Sequence, residues 1–93
     1  MSVMMVMKWD GVTPGQYDKM RKSLHMDENP PKGLVSHTAG FSDNAIRVTD
    51  IWESADDFNN YTNAYLMPAA IEAELTGQPQ VEIIPVHATW PLV

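Results

Sequence analysis

The sequence AIRVTDIWESADDF, residues 45–58, contains the end of one strand and the beginning of a helix. β-Branched and aromatic residues are frequent up to Glu53, which favours a strand over residues 45–53. Ser54 can accept hydrogen bonds from the backbone N–H groups that follow it, and the Asp57 carboxylate lies near the positive end of the helix. The segment therefore predicts a strand that leads directly into a capped helix.

Two strands and one helix are predicted before this segment. The apolar run at residues 3–7, within residues 2–9, is typical of a strand that is buried on both faces. A Thr-Pro-Gly-Gln capping pattern predicts a helix over residues 14–25, and a loop with two prolines follows. Residues 34–41 then favour a strand that forms an antiparallel hairpin with residues 45–53.

After the capped helix, Pro68 and Pro85 determine where the last helix and the last strand are predicted. Pro68 should interrupt the helix and start a shorter one over residues 68–75. The last strand is predicted over residues 80–90, at a sheet edge or a bulge, because Pro85 cannot donate to a central ladder. The order predicts an α+β, ferredoxin-like βαββαβ domain over residues 1–93, with a four-stranded antiparallel sheet and helices on one face.

The amino-acid composition limits the kinds of partner that this protein is expected to bind. A chain of 93 residues is too short to form a large hydrophobic core of its own. Because 44% of its residues are hydrophobic, we expect it to bury part of them against a second copy of itself. The net charge of −6 opposes binding to nucleic acid and to anionic membranes. Cysteine is absent, which excludes thiolate chemistry. The apolar N-terminal run is too short to span a bilayer, so we expect a soluble, cytoplasmic protein.

Three stretches carry a resemblance to a known family: GLVSHTAG at residues 33–40, VTDIWES at residues 48–54 with Phe58 behind it, and PVH at residues 85–87. They resemble the dimeric α+β barrel superfamily, also called antibiotic biosynthesis monooxygenase-like. The resemblance implies a homodimer in which two ferredoxin-like sheets pack face to face. It also implies a choice among cofactor-free monooxygenases, haem-degrading enzymes, cyclases, isomerases and proteins without known activity. Haem degradation is disfavoured, because Ile71 stands where that branch has its haem-ligating histidine.

Three polar side chains are the catalytic candidates: His37, His87 and Asp50. Imidazole exchanges protons near neutral pH, and a carboxylate among apolar strand residues must be paired or have a raised pKa. His37 and His87 lie on opposite edge strands in the prediction, and dimerisation could bring them together. The alternative is that all three are structural, with Asp50 accepting from a backbone N–H, an arginine or a histidine. A metal site is disfavoured, because these residues lack compact ligand spacing.

Aromatic residues are the candidates for substrate binding. Aromatic side chains offer flat surfaces on which an aromatic or polyketide-like molecule can pack, and tyrosine hydroxyls need hydrogen-bond partners if they are buried. Core packing is the alternative for residues at helical spacing. No phosphate-binding glycine loop or nucleotide fingerprint is present, so no cofactor is expected. The candidates are Tyr17, Trp52, Tyr61 and Tyr65.

These observations predict a protein that binds a small hydrophobic or aromatic molecule between sheet and helices. The resemblance implies that, as an enzyme, it would be a cofactor-independent monooxygenase, with His37 or His87 as the base. A binding or accessory module without turnover is the second hypothesis. A cyclase or isomerase that uses the same acid and base groups is the third.

Overall fold

The computed structural model describes residues 1–90, which form an antiparallel sheet with helices against one face. The strands are β1 (Val3–Asp10), β2 (Leu34–Ser42), β3 (Ala45–Trp52) and β4 (Gln80–Pro85), in the spatial order β2-β3-β1-β4. The helices are α1 (Pro14–Ser23), α2 (Ala55–Tyr61) and α3 (Met67–Glu72). The predicted ferredoxin-like α+β architecture is confirmed. No helix within residues 1–90 is long and apolar enough to cross a membrane.

Burial alternates along the central strand β1. Met5 is 1% exposed and Trp9 is 4% exposed, whereas the intervening Met4 and Val6 are only half-buried. The helices of this chain cover only one face of β1, and the expectation that a second copy covers the other face stays a prediction. The opposite side, which we call the open sheet face, carries the half-buried apolar residues Met4, Val6, Ile51 and Ile84.

Capping side chains start the helices at the predicted positions. Thr13 and Gln16 form a capping box before α1, and the Ser54 hydroxyl accepts from the Asp57 N–H at 3.1 Å before α2. Helix α1 ends at Ser23, and His25, to which the predicted helix extended, has a φ of +52°. A left-handed residue cannot continue a right-handed helix, so α1 is shorter than predicted.

A separate short helix begins beside Pro68, at Met67, close to the predicted start, but the preceding α-helix already ends at Tyr61. A π-helical turn, Thr62–Leu66, joins α2 to α3, and the Met67 N–H donates to the Thr62 carbonyl five residues back. The wider turn relaxes the backbone just before a proline that would otherwise clash with the preceding turn. Helix α3 then stops at Glu72 rather than residue 75, because Glu74 has a φ of +64°.

Strand β4 lies at the edge of the sheet, as predicted from Pro85, and pairs only with β1. It ends at Pro85, so the prediction that it reaches residue 90 is wrong. The Val86 N–H still donates to the Ser2 carbonyl at 3.1 Å, but His87 follows the strand and is exposed. The proline removes a ladder donor, which explains why regular pairing stops there.

Candidate active site

The centre of the candidate site is a histidine–aspartate pair that the sheet register creates. His37 in β2 lies directly opposite Asp50 in β3, on the face that the helices cover. Opposed residues in antiparallel strands have Cβ atoms about 4.5–5.5 Å apart, within reach of a direct hydrogen bond. His37 Nδ1 lies 2.6 Å from Asp50 Oδ1. Because an ionised carboxylate only accepts, Nδ1 carries the proton and donates it to Asp50.

Asp50 is the one buried charged or polar residue among those described, with 5% of its surface exposed. Its second oxygen accepts a hydrogen bond from the Trp52 indole N–H at 3.1 Å. Both carboxylate oxygens are thus occupied, which offsets the cost of removing the group from water. The fixed carboxylate holds the His37 ring in one orientation and in one tautomer.

Tyr17 on α1 completes a three-residue chain. Its hydroxyl lies 2.7 Å from His37 Nε2, and the two rings are parallel within 4° with centroids 6.0 Å apart. In the tautomer in which Nδ1 of His37 donates to Asp50, Nε2 is the acceptor for the Tyr17 hydroxyl. We call Tyr17, His37 and Asp50 the hydrogen-bonded chain.

Arg21 adds a positive charge to the Tyr17 end of this chain. One of its guanidinium nitrogens donates to the Tyr17 oxygen at 3.2 Å, and another donates to Asp27 at 2.8 Å. The hydrogen bond to Asp27, together with the Tyr17 oxygen, raises the pKa of Arg21 further above its ordinary value. Arg21 was not among the residues predicted to form the site. The four-residue spacing from Tyr17 is the signal that could have identified it.

The hydrogen-bonded chain faces a cavity of about 80 Å³ between the sheet and the helices. Its walls are mainly apolar, and four methionines contribute to them: Met5, Met7, Met20 and Met26. Methionine side chains are flexible and polarisable, so such walls can adapt to a ligand. Tyr17, Arg21, His37 and Asp50 supply the polar groups at the wall.

Two further predicted binding residues, Trp52 and Tyr61, also line the cavity. Burial, and secondarily the charge of Tyr65, raises the pKa of Tyr61 above its ordinary value of 10.0. Tyr65 is 59% exposed and packs against Tyr61 outside the cavity, with ring centroids 5.5 Å apart and ring planes tilted by 34°. His87 is exposed and does not line the cavity of this chain. The structure thus brings five of the seven predicted residues together and leaves His87 and Tyr65 apart.

The described part of the chain, residues 1–90, contains no group of three or more histidine, aspartate or glutamate side chains that could hold a metal ion. His37 and Asp50 contact each other as a pair, and the remaining neighbours of that pair are Tyr17 and Trp52. The site as described can therefore orient an aromatic ring and exchange a proton.

No protein-family model and no curated protein matches this chain. Solved structures do match. SnoaB, a cofactor-independent oxygenase from Streptomyces nogalater, is 17% identical over 98% of both chains, with a TM-score of 0.71. A candidate antibiotic biosynthesis monooxygenase from Caulobacter crescentus is 15% identical over 94% of this chain and 91% of its own, with a TM-score of 0.67.

A third solved structure is the monooxygenase from the gene ActVA-Orf6 of Streptomyces coelicolor, in complex with nanaomycin D. It is 18% identical, with a TM-score of 0.58, over 98% of this chain and 93% of its own. At these identities the likeness shows the fold alone. The chain has the ferredoxin-like α+β fold that these three solved structures share.

Proposed function

We propose that this protein is a cofactor-independent monooxygenase that oxidises a small phenolic molecule in the cavity. The observation that carries the proposal is the His37–Asp50 pair, 2.6 Å apart, in the wall of an otherwise apolar cavity. A histidine that is oriented by a buried carboxylate can take a proton near neutral pH. The structural likeness to oxygenases supports the same chemistry.

The reaction needs no external reductant if the substrate supplies all the electrons. Loss of the phenolic proton makes the ring electron-rich, and a ring carbon then bonds to one atom of O₂ to give a hydroperoxide. Removal of the ring C–H proton and cleavage of the O–O bond leave a quinone carbonyl, and the second oxygen atom departs as water. In total, a phenol and O₂ give a quinone and water. His37 would take the first proton and return a proton to the departing oxygen.

The size of the cavity limits the substrate. About 80 Å³ is well below the roughly 300–1,000 Å³ of typical ligand pockets. We therefore expect a single aromatic ring to be preferred over a multi-ring polyketide. Entry of a larger molecule would require the methionine side chains of the wall to move.

The proposal includes a homodimer formed through the open sheet face. Met4, Val6, Ile51 and Ile84 present apolar side chains there, and the helices of the same chain leave them uncovered. A second copy would remove this surface from water. The idea that His37 and His87 meet across the interface stays a prediction.

The proposed activity can be tested by oxygen uptake with a panel of one-ring phenols in the presence of a metal chelator. We expect uptake with the wild-type protein and with Lys19→Ala, an exposed residue of α1, and its loss in His37→Ala. Labelled O₂ should place one oxygen atom in the product. Binding without uptake would instead support a non-catalytic module, and a product of unchanged composition would support a cyclase or isomerase.

A further inference from the structure

We infer that Tyr17, and not His37 directly, receives the proton of the substrate, with Arg21 as a positioning residue. The inference rests on the proposed function, because it specifies how the same site would deprotonate a phenol. It assigns Tyr17 a proton-transfer role in place of the simple ring-binding role expected from the sequence. Three features of the hydrogen-bonded chain carry it.

The first feature is that both ring nitrogens of His37 are occupied. Nδ1 donates to Asp50 at 2.6 Å, and Nε2 accepts from Tyr17 at 2.7 Å. Only 17% of the His37 side chain is exposed. A substrate hydroxyl could reach an imidazole nitrogen directly only if it displaced Tyr17, which would break a short hydrogen bond inside a mainly apolar site.

The second feature is the remaining capacity of the Tyr17 oxygen. It donates its own proton to His37 and accepts one hydrogen bond from Arg21 at 3.2 Å. A hydroxyl oxygen that donates once can still accept twice, so one lone pair remains for a substrate O–H. Tyr17 also lines the cavity, and it forms the end of the hydrogen-bonded chain that is farthest from the buried Asp50.

The third feature is the charge of Arg21. When the substrate O–H proton moves to the Tyr17 oxygen, the original Tyr17 proton moves to His37 Nε2. The result is a substrate phenolate, a neutral Tyr17 and an imidazolium that is paired with Asp50. No electron is transferred in this step. Negative charge builds up on the Tyr17 oxygen if its own proton leaves first, and Arg21 stabilises it there.

Asp27 holds Arg21 in place for this purpose. The 2.8 Å ion pair links the end of α1 to the loop that follows it, and the second guanidinium nitrogen then points at the Tyr17 oxygen. The planar guanidinium makes both contacts at once, which a lysine ammonium cannot reproduce with the same geometry. Arg21 therefore acts through Tyr17, without a proton-transfer role of its own.

The test uses a nitrophenol whose phenolate, but not its neutral form, absorbs visible light. The purified protein is titrated with this probe at a pH below the solution pKa of the probe, and binding is measured separately by calorimetry. We expect the wild-type protein to bind the probe in its ionised form. In Tyr17→Phe, the probe should still bind, with its ionised-to-neutral ratio reduced about tenfold or more, which corresponds to one pKa unit.

Two charge variants provide a second measurement in case Tyr17→Phe does not fold. Arg21→Gln should reduce the ionised-to-neutral ratio of the bound probe. Lys22→Gln, which removes an equal charge from the next, exposed residue of α1, should leave it unchanged. Arg21→Lys should restore the ratio only in part.

The outcomes separate this inference from the proposed function. If Tyr17→Phe ionises the bound probe as well as the wild-type protein does, His37 acts directly and the inference is wrong. Binding of only the neutral probe by the wild-type protein would also overturn the inference, while leaving an aromatic binding site intact. Failure of the wild-type protein to bind any phenol would overturn the proposed function itself.

Discussion

The two faces of the sheet are built from alternating residues of the same strands, yet they differ in chemistry. The face covered by the helices contains the hydrogen-bonded chain and the methionine-lined cavity. The open sheet face has apolar residues in β1, β3 and β4, and exposed polar residues such as Thr38 and Thr49. One face therefore encloses a cavity with polar groups in its wall, whereas the other leaves apolar side chains that the same chain does not cover.

The largest expected effect concerns the covered face. Asp50→Asn keeps the size of the side chain but removes the charge that orients and stabilises a protonated His37. If the proposed function is right, the rate of oxygen uptake should fall by about 10²–10⁴-fold. Asp43→Asn, an exposed turn residue with a φ of +52° that asparagine tolerates, is the control and should keep the full rate. Equal rates in both variants would show that the hydrogen-bonded chain is structural.

A charge introduced on the open sheet face should weaken the proposed dimer. Val6→Glu would place a carboxylate in the proposed dimer interface, and we expect the dimer dissociation constant to rise by about 100-fold or more. Dilution followed by native mass spectrometry measures this change. Ile71→Glu, on the exposed side of α3, introduces the same charge outside that face and should leave the dimer unchanged. A wild-type monomer at all concentrations would remove the distinction between the two faces.

A smaller effect concerns the loop before β2, which passes close to the start of α2. Gly33 has a φ of +86°, and a Cβ added there would clash with the Asp57 side chain in the first turn of α2. Gly33→Ala should lower the free energy of unfolding by about 1–3 kcal/mol, measured by urea denaturation. Gly40→Ala, in β2 with no atom near its Cβ position, is the matched control. Similar unfolding midpoints would show that the loop moves away from α2 without cost.

The smallest expected effect is a pH dependence from Tyr61. Burial favours its neutral form in the folded chain and raises its pKa above 10.0, so the unfolded chain ionises first as the pH rises. The contribution of Tyr61 to the free energy of unfolding is therefore fully present below about pH 10 and should decrease as the pH rises above 10. Tyr61→Phe should flatten this decrease in urea titrations. Tyr65→Phe should flatten it less, because burial is the larger cause.

Local signals were sufficient to predict most of the fold. The caps at Thr13 and Ser54 start helices where expected, and Pro85 places β4 at an edge. Pro68 shows the limit of such signals. A short helix begins beside it as expected, but the local signals did not indicate the π-helical turn, Thr62–Leu66, that joins it to α2.

By itself, the sequence determined the order of the strands and helices along the chain and the absence of thiol chemistry. Capping, alternation and composition act over a few neighbouring residues and can be read directly. Only the tertiary structure decided that Asp50 pairs with His37, that Tyr17 and Arg21 join them, and that His87 lies elsewhere. These contacts depend on strand register and on the position of α1 over the sheet, where a shift of one residue would turn each strand side chain to the other face.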